Sequence, residues 1–188
     1  MPHEIILGGQ RSGKSRHAEM RLGVHRARHG AEATALVVTA QPGDAEMRAR
    51  IAQHRADREK TLPGLLTLES GANLANTLHR ARESVGNGGL VAVDCLTMWL
   101  TGCLMPLRPA PAVDYEKERR ALLEELEAPG ARVCLVSNEI GLGVISASPE
   151  TRAFVDTLGR LNQAVARHCG QMTLMVAGVP LLVRGEAR

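Results

Sequence analysis

Gly8-Gly9-Gln10-Arg11-Ser12-Gly13-Lys14-Ser15 is the stretch that decides the fold of this chain. It fits the pattern GxxxxGK[ST] in full. An apolar run before it, His3 to Leu7, reads as a strand, and Ser15 to His29 after it reads as a helix. In that setting the glycines let the backbone curl until successive N–H groups face a phosphate, and the helix adds its positive end. Lys14 is placed to reach the β- and γ-phosphates of a nucleotide, and the Ser15 hydroxyl to ligate Mg²⁺. Lysine is scarce here, with only Lys14, Lys60 and Lys117, so its presence in the loop is not compositional noise. The alternative is a glycine-rich turn with a surface lysine.

Outward from the loop, short runs of Val, Ile and Leu alternate with longer mixed segments. Ala35–Ala40, Leu65–Leu68, Leu90–Val93, Val133–Val136 and Met172–Ala177 read as strands, with Val179–Val183 as a last edge strand. Asp44–Lys60, Asn73–Val85, Val113–Glu127 and Pro149–His168 read as helices. Strands without polar alternation, separated by helices, predict an α/β fold with a mostly parallel sheet and helices on both faces. Leu104–Pro111 holds three prolines and is expected to be a loop, on the ligand side of the sheet or at a subunit contact.

A phosphate loop of this kind needs an acidic partner at the end of a nearby strand to hold its metal. Asp94 closes the run LVAVD and has that form. Its alternative role is to cap the helix that follows.

The 188 residues suit one nucleotide-binding domain, residues 1–188. Apolar residues at 44% and charged residues at 23% exclude a wholly disordered chain. Aromatics are only 2% and the formal charge only +3, which argues against a base-stacking platform or a nucleic-acid partner. The four cysteines form no CxxC pair and are expected to be free thiols in a reducing, cytoplasmic setting. No membrane span and no secretory signal are expected.

His54 stands out among the seven histidines. It lies in MRARIAQHRADR, and on a helix positions 50, 54 and 58 share one face, so Arg50 and Arg58 flank the imidazole. Guanidiniums can neutralise a phosphate that an imidazole attacks, which suits His54 to nucleophilic work on phosphorus. A solvated arginine face would look the same. Ser137-Asn138-Glu139, with Gly141-Leu142-Gly143 behind it, follows another strand. That is where ligands bind in open α/β sheets. Arg160, Asn162 and Gln163 lie on the next helix. For these, helix caps and solvated faces compete with function.

Taken together, these stretches resemble one family, the bifunctional adenosylcobinamide kinase / adenosylcobinamide-phosphate guanylyltransferase of cobalamin biosynthesis. The likeness runs nearly end to end. It covers GGQRSGKSRHAE (8–19), Thr39-Ala40-Gln41, Glu46-Met47 through Arg50-Ile51 to His54, and VDCLTMWL (93–100). It continues through SNEIGLGVIS (137–146), Gly159 to Gln163, and Ala177-Gly178-Val179-Pro180. The chain departs from the family pattern at Leu65, where Trp is usual, and at Thr101-Gly102, where Ser-Asn is usual.

The resemblance implies a RecA-like phosphate-loop NTPase fold and a homotrimer. It implies phosphorylation of adenosylcobinamide by a nucleoside triphosphate, with ATP and GTP as substrates and Mg²⁺ as cofactor. GMP transfer from GTP onto adenosylcobinamide phosphate would follow, through a GMP-histidine intermediate at His54 that releases pyrophosphate. It implies nucleotide contacts at Gly8, Gly9, Gln10, Arg11, Ser12, Gly13, Lys14 and Ser15. Further contacts are implied at Thr39, Ala40, Gln41, Arg55, Ala56, Asp57, Arg58, Glu69 and Asp94. Two other readings compete. A monofunctional phosphate-loop kinase of a small alcohol would need Lys14, Ser15 and Asp94 but not His54. A RecA-like motor or nucleic-acid-binding module would show salt-dependent binding.

Overall fold

The computed structural model of the protein describes residues 3–106 and 113–186. Its seven strands are β1 (His3–Gly8), β2 (Thr34–Val38), β3 (Leu66–Glu69), β4 (Leu90–Asp94), β5 (Arg132–Val136), β6 (Cys169–Val176) and β7 (Val179–Arg184). The helices are α1 (Lys14–His29), α2 (Ala45–Thr61), α3 (Leu74–Val85), α4 (Leu96–Leu104), α5 (Tyr115–Glu127) and α6 (Pro149–His168). The strands form one sheet in the order β3-β2-β4-β5-β1-β6-β7. Every pairing is parallel except β6 with β7.

Alternate residues of the central strands feed two cores. Ile5, Val37, Val93 and Leu135 point to one face, where α3, α4, α5 and α6 lay down Leu78, Trp99, Leu122 and Leu158. Ile6, Leu36, Ala92 and Val136 point to the other, where α1 contributes Ala18 and Leu22 and the end of α2 contributes Leu62. Burying one such leucine fully is worth about 1.5–3 kcal/mol. Both faces are thus covered, which is why the strands carry near-continuous apolar runs.

Several helix ends follow directly from local chemistry. Asp44 caps α2 by accepting the Met47 N–H at 2.7 Å, and Asp114 caps α5 by accepting that of Lys117 at 3.1 Å. Ser148 caps α6, with Pro149 in its first turn.

The expected strand Ala35–Ala40 is shorter than anticipated. β2 stops at Val38 because Thr39 turns to bond the end of β4. Leu104, expected in a loop, is the last residue of α4, and the rest of that expected loop from 107 onward lies outside the described residues. No helix among the described residues is long and apolar enough to cross a membrane. Cys95, Cys103, Cys134 and Cys169 are all free.

The strand order sets the site. The strand that feeds the phosphate loop, β1, and the strand that ends in Asp94, β4, are not neighbours. β5 stands between them. All three end at the same edge of the sheet, where parallel strands present their ligands.

Candidate active site

The phosphate loop is built by close backbone approach. Gly13 has φ +98°, and an added Cβ there would sit 3.2 Å from the Cα of Gly178 in the β6–β7 turn. An added Cβ at Gly8 would lie 2.6 Å from the Met175 carbonyl and from Ser12 Oγ. No side chain fits at Gly8, and at Gly13 the left-handed φ and the tight approach to Gly178 both oppose one. The Gly178 N–H donates to the Ser12 carbonyl at 2.9 Å, so the last hairpin props the first loop. Arg11, at φ +56°, holds a left-handed conformation at the loop tip beside exposed Gly9 and Gln10. Ser12 Oγ is buried with no hydrogen-bond partner among the described residues.

Lys14 folds back over this loop. Its Nζ donates to the Gly8 carbonyl at 3.0 Å and to that of Gly9 at 2.7 Å. Burial pushes its ammonium below the ordinary lysine value; Cys95 and the Asp94 carboxylate pull it up, and Arg50 pushes it down. Asp94 therefore lies within electrostatic reach of the lysine. It does not cap α4, whose N-cap is Cys95 and has no side-chain cap bond. The Asp94–Cys95 peptide is cis. Burial and the Asp94 carboxylate push the Cys95 thiol up to about 11, so it stays protonated at neutral pH.

The donors available to a metal are oxygens: the Ser15 hydroxyl in the first turn of α1 and the Asp94 carboxylate. Asp94 makes no ion pair and Ser15 Oγ no hydrogen bond within the described residues. No cluster of three or more His, Cys, Asp or Glu is found among them either. Few protein ligands, all hard oxygens and both unengaged, fit Mg²⁺, which keeps its waters and shares phosphate oxygens.

α2 places His54. The helix is mostly exposed, but Arg58 is buried and its Nε lies 3.3 Å from Glu19 Oε1 on α1. Arg50, two turns earlier, is near enough to perturb Lys14. His54 lies midway between them on the same helix face, half-buried, and this face turns toward α1 and the phosphate loop.

Residues 4–183 match the family described as cobinamide kinase / cobinamide phosphate guanyltransferase. The bifunctional adenosylcobalamin biosynthesis protein CobP of Pseudomonas aeruginosa is 46% identical over 184 residues, covering 97% of this chain and 98% of that protein. The bifunctional adenosylcobalamin biosynthesis protein CobU of Escherichia coli is 30% identical over 190 residues, with 96% of this chain and 98% of that protein covered. Its Salmonella typhimurium namesake is 31% identical over 191 residues. The chain belongs to the cobinamide kinase / cobinamide phosphate guanyltransferase family. It is a transferase.

This cobinamide kinase / guanyltransferase chain carries a groove of about 330 Å³ between α2 and edge strand β3, lined by Arg55, Arg58, Glu59, Leu62, Leu65, Thr67 and Glu69. Three residues expected at the nucleotide, Arg55, Arg58 and Glu69, come together there, and Arg55 donates to Glu69. Ala56 and Asp57 are exposed on α2. Thr39 is buried, and its hydroxyl is engaged with Cys95. Ala40 and Gln41 lead from β2 toward α2. The Gln41 amide packs over α4, where an added Cβ at Gly102 would lie 3.2 Å from its Nε2. A side chain at 102 would displace Gln41 here.

Sequence reasoning singled out several neighbours of the loop without their partners. Glu139 donates its N–H to the Gly8 carbonyl at 3.0 Å, so the SNE segment runs beside the phosphate loop. Asn138 accepts from Asn162 Nδ2 at 3.0 Å and its N–H donates to Thr97 Oγ1 at 2.9 Å. These bonds tie the segment after β5 to α4 and α6. Gly178 sits inside the AGVP stretch. The signal was present in those motifs, but the partners needed the strand order.

Proposed function

We propose that this protein phosphorylates adenosylcobinamide and then transfers GMP from GTP onto the product, giving adenosylcobinamide-GDP and pyrophosphate. Family membership supports both steps, and the bifunctional names of the relatives favour them over a monofunctional kinase. In the first step the aminopropanol oxygen of the corrinoid attacks the γ-phosphorus of ATP or GTP, and the nucleoside diphosphate leaves. The amides of Gly8 to Ser15 cradle the phosphates. Lys14 exchanges its carbonyl partners for phosphate oxygens, and the buried Ser12 hydroxyl gains an acceptor. Ser15 and Asp94 would hold Mg²⁺, which would supply charge neutralisation at the phosphates.

In the second step a ring nitrogen of His54 attacks the α-phosphorus of GTP. A P–N bond forms and the bond to pyrophosphate breaks. The phosphate oxygen of adenosylcobinamide phosphate then attacks the same phosphorus and the P–N bond breaks. Arg50 and Arg58 flank the imidazole and offset phosphate charge as the geometry inverts. We place the guanine nucleotide against Ala40, Gln41, Arg55 to Arg58 and Glu69.

The observation that carries this reading is the placement of one face of α2. Arg50 perturbs Lys14, Arg58 meets Glu19, and His54 lies between them. The reading extends to a single domain over residues 1–188, a cytoplasmic location and a homotrimer. Exposed apolar side chains at Leu142, Val144, Leu181 and Val183 support the assembly.

Incubation with GTP labelled at the α-phosphorus, without corrinoid, tests the intermediate. Wild-type protein should acquire label that is labile to acid and stable to alkali, as a phosphoramidate is. His54→Ala should acquire none. Label that persists in His54→Ala would remove His54 from the reaction.

A further inference from the structure

The structure assigns to the Thr39 side chain a positioning role: it clamps the turn that carries Asp94, and is not itself a nucleotide contact. This rests on the reading of Asp94 as a metal ligand.

Thr39 is the first residue after β2 and is only 2% exposed. β2 and β4 are paired in register up to Val38 and Asp94, where both strands end. Beyond that point the ladder is continued by Thr39 alone. Its backbone N–H donates to the Asp94 carbonyl at 3.1 Å. Its Oγ1 donates to the Cys95 carbonyl at 2.7 Å and accepts the Cys95 N–H at 2.9 Å.

A threonine hydroxyl has one proton to give. Here that proton is committed to Cys95, in a place with almost no access, so the side chain has no donor left for a phosphate or a base. The three bonds bracket the peptide group that follows Asp94 and the one after it. Asp94 itself makes no side-chain ion pair among the described residues, so its carboxylate is aimed by this backbone. Removing the hydroxyl leaves the Cys95 N–H without its partner, and leaves the Cys95 carbonyl with the Trp99 N–H alone, beside the metal ligand. Groups that orient a ligand in this way commonly change metal affinity or activity by about 10- to 100-fold when lost.

The test uses the full chain with GTP and MgCl₂ as probes, and calorimetric binding as the readout. Thr39→Val is nearly isosteric and removes both hydroxyl bonds. It should bind GTP in EDTA as wild type does, yet need about 10- to 100-fold more Mg²⁺ to reach its full affinity. Thr39→Ser keeps the hydroxyl and should restore the wild-type Mg²⁺ requirement. Asp94→Asn should raise that requirement too, and Thr39→Val added to it should cost little more. Should Thr39→Val fail to fold by circular dichroism, Thr39→Ala removes the same hydroxyl and is read in the same way.

Lost GTP affinity in EDTA would make Thr39 a direct nucleotide contact and overturn the inference. A normal Mg²⁺ requirement in Thr39→Val, with a raised one in Asp94→Asn, would overturn it as well. A normal requirement in Asp94→Asn would instead overturn the metal assignment on which it rests.

Discussion

Around Gly13 backbone meets backbone. The β6–β7 turn, β1 and the start of α1 approach so closely that a single added carbon at Gly8 has no room and one at Gly13 is opposed. Around His54 there is no such packing. α2 is polar and exposed along most of its length, and it is fastened near its C-terminal end by Arg58 on Glu19, by Leu62 in the core and by Arg26 on the Pro63 carbonyl. One region is preformed and the other is hung from one end. The difference suits the tasks proposed for them. A phosphate cradle works by fixed dipoles, which must not reorganise as charge develops. A nucleophile that carries a nucleotidyl group must first meet one phosphorus and then admit a second substrate to the same atom.

The comparison breaks most visibly if the two activities are separated. His54→Ala should lose guanylyl transfer by about 10⁴-fold or more, as expected for removal of a nucleophile, while phosphorylation of adenosylcobinamide persists. Assaying the two steps on purified protein decides it. Lys14→Ala should impair both, with triphosphate affinity down about 100-fold by calorimetry, since a charge-assisted contact to phosphate is lost. Unchanged GTP affinity in that variant would contradict the loop assignment.

The preformed character of the loop predicts a stability effect. Gly8→Ala should destabilise the chain by about 1–3 kcal/mol in urea unfolding, because the Met175 carbonyl must move. Gly9→Ala should be nearly neutral there, since nothing lies within 4 Å of its added Cβ. On the other side, Arg58→Ala should cost about 2 kcal/mol by leaving Glu19 short of its partner, and should slow guanylyl transfer more than the kinase step. A double-mutant cycle with Glu19→Ala isolates that coupling.

The smallest effect is on pH. Burial holds the Lys14 ammonium below its ordinary value in the free protein. A bound triphosphate raises it, so binding takes up a proton in the interval between the two values. Affinity should therefore fall as pH rises through that interval, by about tenfold or less. The alkaline decline should vanish in Lys14→Ala.

What could be read ahead of the structure follows the same division. The phosphate loop is a local motif, and its strand and helix lie next to it in sequence, so its strand–loop–helix frame was legible at once. The apolar runs announced the strands, because strands buried on both faces leave no polar alternation to obscure them. α4 carried no such signal. Leu96, Trp99, Leu100 and Cys103 are buried within nine residues, and the helix ends against a proline-rich stretch. The insertion of β5 between β1 and β4 was also hidden, since strand order is not written locally. With it were hidden the Gly178–Ser12 bond, the Arg58–Glu19 pair and the two-way bond of Thr39 to Cys95. Each joins residues more than 35 positions apart.

The prop beneath the phosphate loop has a consequence for how the chain is made. Among the described residues β1 pairs with β5 and β6, and the loop that follows it leans on the turn at Gly178. During synthesis this loop therefore emerges well before the hairpin that seats it. A nascent chain stalled before the final hairpin would lack the turn that props the loop.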